Sequence, residues 1–272
     1  MEETTTVHKV REYWQAHPLL SFELEEVGSP RFFEDLDKAK REDADRFSMA
    51  YWEFNRFKGK KVLDVGCGPG WLTVNYTLYG ADVTAVDLTS KAVDLTREHL
   101  RHKVGRARVL EADAESLPFK EGAFDLVVAS GVLHHTPNTY KAMEECARVL
   151  KPGGIGKITL YHKGILQKDL LFSLLRPLMK LVKIRHPGAD LTNAKNVDDL
   201  IRQYDGSLNP IGIGKTKREW LSLLQNSGFI HDKHELHYFP QRFLPFKIPS
   251  VMHYLLDRWF GTMIYFQLKK PL

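Results

Sequence analysis

The sequence predicts an α/β protein built on a doubly wound, mostly parallel seven-stranded sheet with a helical cap. Two observations carry this. From Lys60 onward, short apolar runs alternate with segments of helical character, the pattern of strands joined by crossover helices. The runs are apolar nearly throughout instead of at every second position, so both faces of the sheet are expected to be covered. The chain of 272 residues, 43% apolar and 27% charged, has room for one such domain of roughly 150–200 residues plus additions.

In order, Val7 to Ala16 reads as a helix that stops at His17-Pro18, because proline disfavours a helical residue before it. Residues 31–57 form a second helical stretch rich in charge and aromatic rings. Strands follow at 61–65, 82–87, 107–111, 124–129 and 155–161, with helices at 72–78, 90–102 and 138–150 between them. Lys151-Pro152-Gly153-Gly154 is a sharp turn into the fifth strand. Residues 163–212 break the alternation. Leucines at 166, 170, 171, 174, 175, 178 and 181 recur at helical spacing with Lys and Arg between them, and 195–204 reads as a short helix. A helix at 216–226, a strand at 229–238 and a last strand at 262–269 restore the pattern, with 242–259 aromatic-rich. The expected organisation is a helical leader or cap over 1–57, a cofactor-binding core over 58–162, a helical insertion over 163–212, and the remainder of the sheet over 213–272.

Composition narrows the function. The formal charge of +5 is spread along the chain, which disfavours a nucleic-acid partner. Cys67 and Cys146 have no metal or redox spacing and read as reduced thiols of a cytoplasmic protein. Met1-Glu2-Glu3-Thr4 lacks the apolar core of a signal peptide, and no apolar run reaches the ~20 residues needed to span a bilayer. Peripheral membrane contact through the basic, leucine-rich segment 163–185 stays open, with a lid helix packed on the core favoured. His231, His234 and His237 have ligand-like spacing, but three-residue steps on a strand alternate faces, so no metal is expected.

Asp64-Val65-Gly66-Cys67-Gly68-Pro69-Gly70 lies between a strand and a helix. Glycines let the backbone turn tightly and let a ligand approach closely. A dinucleotide fingerprint would put its third glycine at 71, where this chain has Trp, with the glycine at 70. Asp64 would repel a pyrophosphate and suits a ligand bearing an ammonium. Asp87 ends the second strand about 20 residues beyond the glycines, where a carboxylate accepts both hydroxyls of a ribose.

With the third strand comes ADAESLPF (112–119), and the sequence resembles the class I S-adenosylmethionine-dependent methyltransferases, specifically the type 11 methyltransferase domain of the ubiquinone and menaquinone methyltransferase group. VLDVGCGPG (62–70), VTAVDLT (83–89), FDLVVASGVLHHTPN (124–138) and ARVLKPGG (147–154) carry the resemblance in order, with a weaker echo in GKTKREWLSLLQNSGF (214–229). It implies the Rossmann-like methyltransferase fold with its last strand antiparallel. It also implies S-adenosyl-L-methionine as cofactor, S-adenosyl-L-homocysteine as product, and no metal. Asp64 with the backbone of Gly66 and Gly68 would hold the methionine amino group, and Asp87 the ribose. Asp113 would hold the adenine amino group with the Ala114 backbone beside it. Ser130 and Gly131 would lie along the methionine tail, with Cys67, Gly70 and Leu88 lining the same site.

The implied reaction is methyl transfer to O, N or C of a small acceptor in a biosynthetic pathway. His134 and His135 follow the fourth strand at the crevice edge and are candidate bases; Tyr161, at the end of the fifth, is a third candidate. Aromatic residues outside the core, Tyr13, Trp14, Tyr51, Phe172 and Phe243 among them, would line a hydrophobic acceptor pocket. The alternatives are a nucleic-acid methyltransferase and a non-catalytic cofactor-binding module on the same fold. Monomer and homodimer are both open.

Overall fold

A computed structural model describes residues 2–19, 26–42, 47–164, 171–174, 177, 193–239 and 248–272. The leucine-rich stretch is therefore largely, and Phe243 wholly, outside the described residues. The leader forms α1 (Glu2–Ala16), α2 (Pro30–Glu42) and α3 (Ser48–Trp52). The core then runs β1 (Lys61–Val65), α4 (Trp71–Leu78), β2 (Asp82–Asp87), α5 (Ser90–His102), β3 (Arg108–Glu111), β4 (Phe124–Ser130), α6 (Thr139–Val149) and β5 (Leu150–Tyr161). After the insertion, which contributes α7 (Val197–Arg202), come α8 (Lys217–Asn226), β6 (Ile230–His237), α9 (Ser250–Phe260) and β7 (Met263–Lys269).

The seven strands lie in the order β3-β2-β1-β4-β5-β7-β6. β1 to β5 are parallel, and β7 runs antiparallel to both its neighbours. Strand order reverses between β1 and β4, which opens a crevice above their C-terminal ends. Both faces of the sheet are covered, as the apolar runs require. Val127 and Ala129 of β4 pack with Ala142, Met143 and Cys146 of α6 and Trp220 and Leu224 of α8. Leu126 and Val128 of the same strand pack on the other face with Phe32, Phe33, Trp52, Trp71 and Tyr76.

Local chemistry fixes where the helices start. Thr89 caps α5 by accepting from Ala92 N–H, Asn138 caps α6, and Thr216 with Glu219 forms a capping box on α8. Strand β5 reaches back to Leu150, with Phe124 opposite Leu150 and Leu126 opposite Ile155. The expected Lys151–Gly154 turn is thus a bulge within the strand. In the aromatic-rich 242–259 stretch, for which the sequence names no element, residues 250–259 lie in α9. Among the described residues no helix is long and apolar enough to cross a membrane.

The alternation argument for the three histidines fails locally. The register shifts between His231 and Lys233, so His231 pairs with Leu268 and His234 with Phe266. Leu268 and Phe266 share a face, and the two histidine rings meet at 3.2 Å. His237 instead stacks on Phe47.

Candidate functional site

The glycine loop joins β1 to α4 at the reversal in strand order. Gly66 has φ +71°, and a Cβ there would sit 2.3 Å from Val132 Cγ2, so no other residue fits without moving the loop after β4. Gly66 and Cys67 both donate their N–H to the Val86 carbonyl, at 2.7 and 3.0 Å. Gly68 N–H donates to Asp87 Oδ2 at 3.0 Å, and Thr96 donates its hydroxyl to the Gly68 carbonyl at 2.9 Å. The N–H groups of Gly66 to Gly68 are therefore turned to the protein. The carbonyls of Cys67, Gly68 and Pro69 already face Gly70 N–H, the Thr96 hydroxyl and His99, which leaves the Gly66 oxygen for a ligand, a group that suits an ammonium better than a phosphate.

Asp64 is 1% exposed, and its Oδ2 accepts the Thr73 hydroxyl at 2.6 Å. Burial lifts its carboxyl to about 7 against the Thr73 hydrogen bonds, with the nearby Asp87 adding to the rise. Burial also raises Asp87, opposed by hydrogen bonds from the Gly68 N–H and from the Thr89 N–H and hydroxyl. The Leu88 N–H adds a further donor, so the carboxylate is held firmly at the end of β2.

Asp64, Gly66, Cys67, Gly68, Trp71 and Ser130 line one cleft that α2, α3 and Tyr265 of β7 close from the other side. Trp71 Nε1 is buried there without a hydrogen-bond partner, a donor available to a ligand carboxylate. Buried carboxylates, the Gly66 carbonyl and an orphaned donor fit the amino-acid end of S-adenosylmethionine. Bound there, it would supply a methyl group on a sulfonium whose leaving group is a neutral thioether.

The remaining cofactor candidates lie along the same edge. Asp113 Oδ1 accepts the Glu115 N–H at 2.9 Å. Leu88 follows Asp87, Ala114 packs into the core, and a Cβ on Gly70 would meet Thr96 at 2.9 Å. Gly131 N–H donates to the Thr159 hydroxyl at 2.8 Å, tying the end of β4 to β5. Helix α1 crosses above β2 and β3: Arg11 lies 3.8 Å from Glu111, and the Lys91 N–H donates to Gln15 at 3.1 Å.

A second group of side chains meets beyond the ends of β4 and β5. His135 Nδ1 lies 2.6 Å from the Ile211 carbonyl and its Nε2 lies 3.1 Å from Asp205 Oδ2. The Asn209 side-chain amide also approaches Nδ1, at 3.4 Å, so protein groups face both ring nitrogens. His135 is thus held by the protein at the crevice edge where the sequence places a candidate base. The Tyr161 hydroxyl also donates to Asp205 Oδ2, and the Tyr13 hydroxyl donates to the Asp205 carbonyl. Trp14 meets the His135 ring edge-on at 5.2 Å, and Tyr204 meets Tyr161 at 5.4 Å.

His134 is fully buried beside Tyr161, with both ring nitrogens unpartnered. Burial, reinforced by His135, holds it well below the usual imidazole range.

Tyr13, Trp14, His135 and Tyr161 are therefore brought together. Phe172 packs behind them with Tyr161, Val197 and Tyr204. Tyr51 is not with them: it lies in the core, donating to the Phe266 carbonyl at 2.8 Å, on the sheet face that carries the buried Lys157. Asp205 and Tyr204 carry no motif in the sequence and were not singled out by it.

Residues 63–157 match the model of a methyltransferase domain family. The chain is 41% identical over 121 residues to a ubiquinone biosynthesis O-methyltransferase of Dechloromonas aromatica, covering 43% of this chain and 50% of that protein. It is 30% identical over 175 residues to a ubiquinone biosynthesis O-methyltransferase of Albidiferax ferrireducens, covering 60% and 68%. The chain thus spans about half the length of the first of these curated relatives. Its fold is similar to that of an S-adenosylmethionine-dependent methyltransferase from Aquifex aeolicus, with a TM-score of 0.55 over 90% of this chain and 99% of that one at 16% identity. Matched at 30% identity over more than two thirds of the Albidiferax protein, the chain belongs to the S-adenosylmethionine-dependent methyltransferases.

Proposed function

We propose that the protein transfers the methyl group of S-adenosylmethionine to a small, apolar or aromatic acceptor. The observation that carries this reading is the joining of two half-sites across Ser130 and Gly131. One is the cleft of acidic and carbonyl groups suited to the donor. The other is the aromatic-walled cluster of Tyr13, Trp14, Tyr161 and Tyr204 around His135 and Asp205. Aromatic walls suit a flat apolar molecule, and a few placed polar groups orient it. The names of the relatives favour oxygen as the attacked atom.

The protein's contribution is mainly placement. A sulfonium needs little further activation, so holding a nucleophile in line with it at near-attack distance supplies most of the barrier reduction. The Gly131–Thr159 hydrogen bond fixes the strand edge that separates the half-sites. Helix α1, bound to both, excludes water from above. The formal charge of +5, spread along the chain, does not favour the nucleic-acid alternative. A cytoplasmic setting fits the reduced thiols.

Incubation with S-adenosylmethionine and simple hydroxy- and amino-aromatic acceptors tests the proposal through release of S-adenosylhomocysteine. Acceptor-dependent release is expected. Tight cofactor binding without release for any acceptor would contradict it and favour a non-catalytic module.

A further inference from the structure

The insertion supplies a carboxylate that neither the sequence motifs nor the relatives assign. Asp205 ends the short turn Gln203–Asp205 that follows α7. Its Oδ2 takes both strong donors, His135 Nε2 and the Tyr161 hydroxyl, whereas its Oδ1 bonds no other described residue. The side chain keeps 23% of its surface exposed. One oxygen is thus fixed and the other presented, among aromatic rings.

Burial alone would raise the Asp205 carboxyl, but the hydrogen bond and charge of His135, with the Tyr161 hydroxyl, bring it down to about 2. It is ionised at neutral pH. Its place is also right. Tyr161 lies two residues beyond Thr159, the partner of Gly131, a rise of about 7 Å along the strand. The carboxylate that its hydroxyl holds thus belongs to the same end of the sheet as Ser130 and Gly131.

We propose that Asp205 Oδ1 receives the hydroxyl of the acceptor, positions it for methyl transfer and takes its proton. This rests on the methyltransferase reading above. The acceptor oxygen uses a lone pair to form the new O–C bond as the S–C bond breaks, and the electron pair of that bond stays on the departing neutral thioether. The O–H electron pair remains on oxygen, and the proton passes to Asp205 Oδ1 and on to water at the exposed edge. A weakly basic carboxylate suffices, because the oxonium formed during transfer is a far stronger acid than any carboxylic acid. His135, whose Nε2 lies 3.1 Å from Asp205 Oδ2, is a positioning residue that keeps Asp205 oriented.

The same carboxylate discriminates against amines. A negative charge beside an amine favours its protonated form, and an ammonium has no lone pair with which to attack. The insertion therefore selects a hydroxyl.

The test uses binding of 4-nitrophenol and 4-nitrocatechol to the full chain loaded with S-adenosylhomocysteine at pH 5, where both phenols are protonated and Asp205 is ionised, read by their absorption. At least one of the two phenols is expected to bind. Asp205→Asn should weaken it about tenfold or more, the scale of one hydrogen bond to a charged group. Asp205→Glu should recover part of that loss, and both variants should keep the S-adenosylhomocysteine affinity of the wild type, which shows that they are folded. Failure of both phenols to bind the loaded wild type, or equal binding by Asp205→Asn, would overturn the proposal. Failure of S-adenosylhomocysteine itself to bind would instead sink the methyltransferase reading.

Discussion

His135 Nε2 and Asp205 Oδ2 stand 3.1 Å apart, joining the turn after β4 to the far end of the insertion. The pair ties the insertion to the sheet at the point where the acceptor half-site is built. Since His135 Nδ1 lies 2.6 Å from the Ile211 carbonyl, the ring is held from both sides.

This pair makes stability depend on acid. The Asp205 carboxyl sits at about 2 in the folded protein, below its unfolded value of about 4. The stability it contributes is present above pH 4 and is lost as pH falls through 2. Asp205→Asn should cost roughly 2 kcal/mol at pH 7, and the gap to wild type should close between pH 4 and 2. Urea denaturation across that range measures it, and a pH-independent gap would show that the ion pair is not the cause.

Asp64 works in the opposite sense. Its carboxyl is raised to about 7, so the ligand-free protein loses stability as pH rises through that value. Asp64→Asn should stabilise the ligand-free protein at pH 8 by a few kcal/mol, roughly 3–4 at most, while weakening cofactor binding. An ammonium binds the ionised carboxylate, so wild-type affinity should fall by about tenfold per unit below pH 7. Calorimetry at pH 5.5 and 8 would expose a flat profile.

Gly66→Ala probes the loop. The added methyl meets Val132 at 2.3 Å and must adopt a positive φ, which costs roughly 1–2 kcal/mol before the clash is counted. A lowered melting temperature is expected, with cofactor affinity down by more than about tenfold. Wild-type affinity in this variant would remove the loop from the site.

Lys157 is fully buried on β5, 2.7 Å from Glu53 Oε2 and over the Tyr51 ring at 4.9 Å. Burial lowers its ammonium to about 8 despite Glu53. Removing Glu53 alone strands that charge, so Glu53→Ala should cost about 3–5 kcal/mol. Lys157→Met combined with Glu53→Gln should recover most of this. Equal losses in the single and double variants would show that the pair carries no coupling.

How far the sequence reveals this molecule depends on the range of the forces involved. Strand positions such as 82–87 and 124–129 are legible because a two-sided sheet demands continuous apolar runs, whatever surrounds them. The glycine loop is legible because Gly66 answers to a local backbone need. Asp205 is not: nothing in Gln203-Tyr204-Asp205 signals chemistry, and its meaning arises when the insertion folds against His135. Tyr51 shows the converse, an aromatic residue of the leader whose hydroxyl serves the Phe266 carbonyl in the core. The bulge at Asp232 turns His231 and His234 to one face, and alternation counted along the sequence does not register it.

The central claim is that the crevice above β1, β2 and β4 holds S-adenosylmethionine. Its most direct test is calorimetric titration of S-adenosylmethionine, and separately of NAD, into the wild type and Asp87→Ala. The account predicts binding of S-adenosylmethionine alone, weakened by roughly 1–3 kcal/mol in the variant through loss of hydrogen bonds to a charged group. Heat from NAD with none from S-adenosylmethionine, or an unchanged dissociation constant in Asp87→Ala, would contradict it.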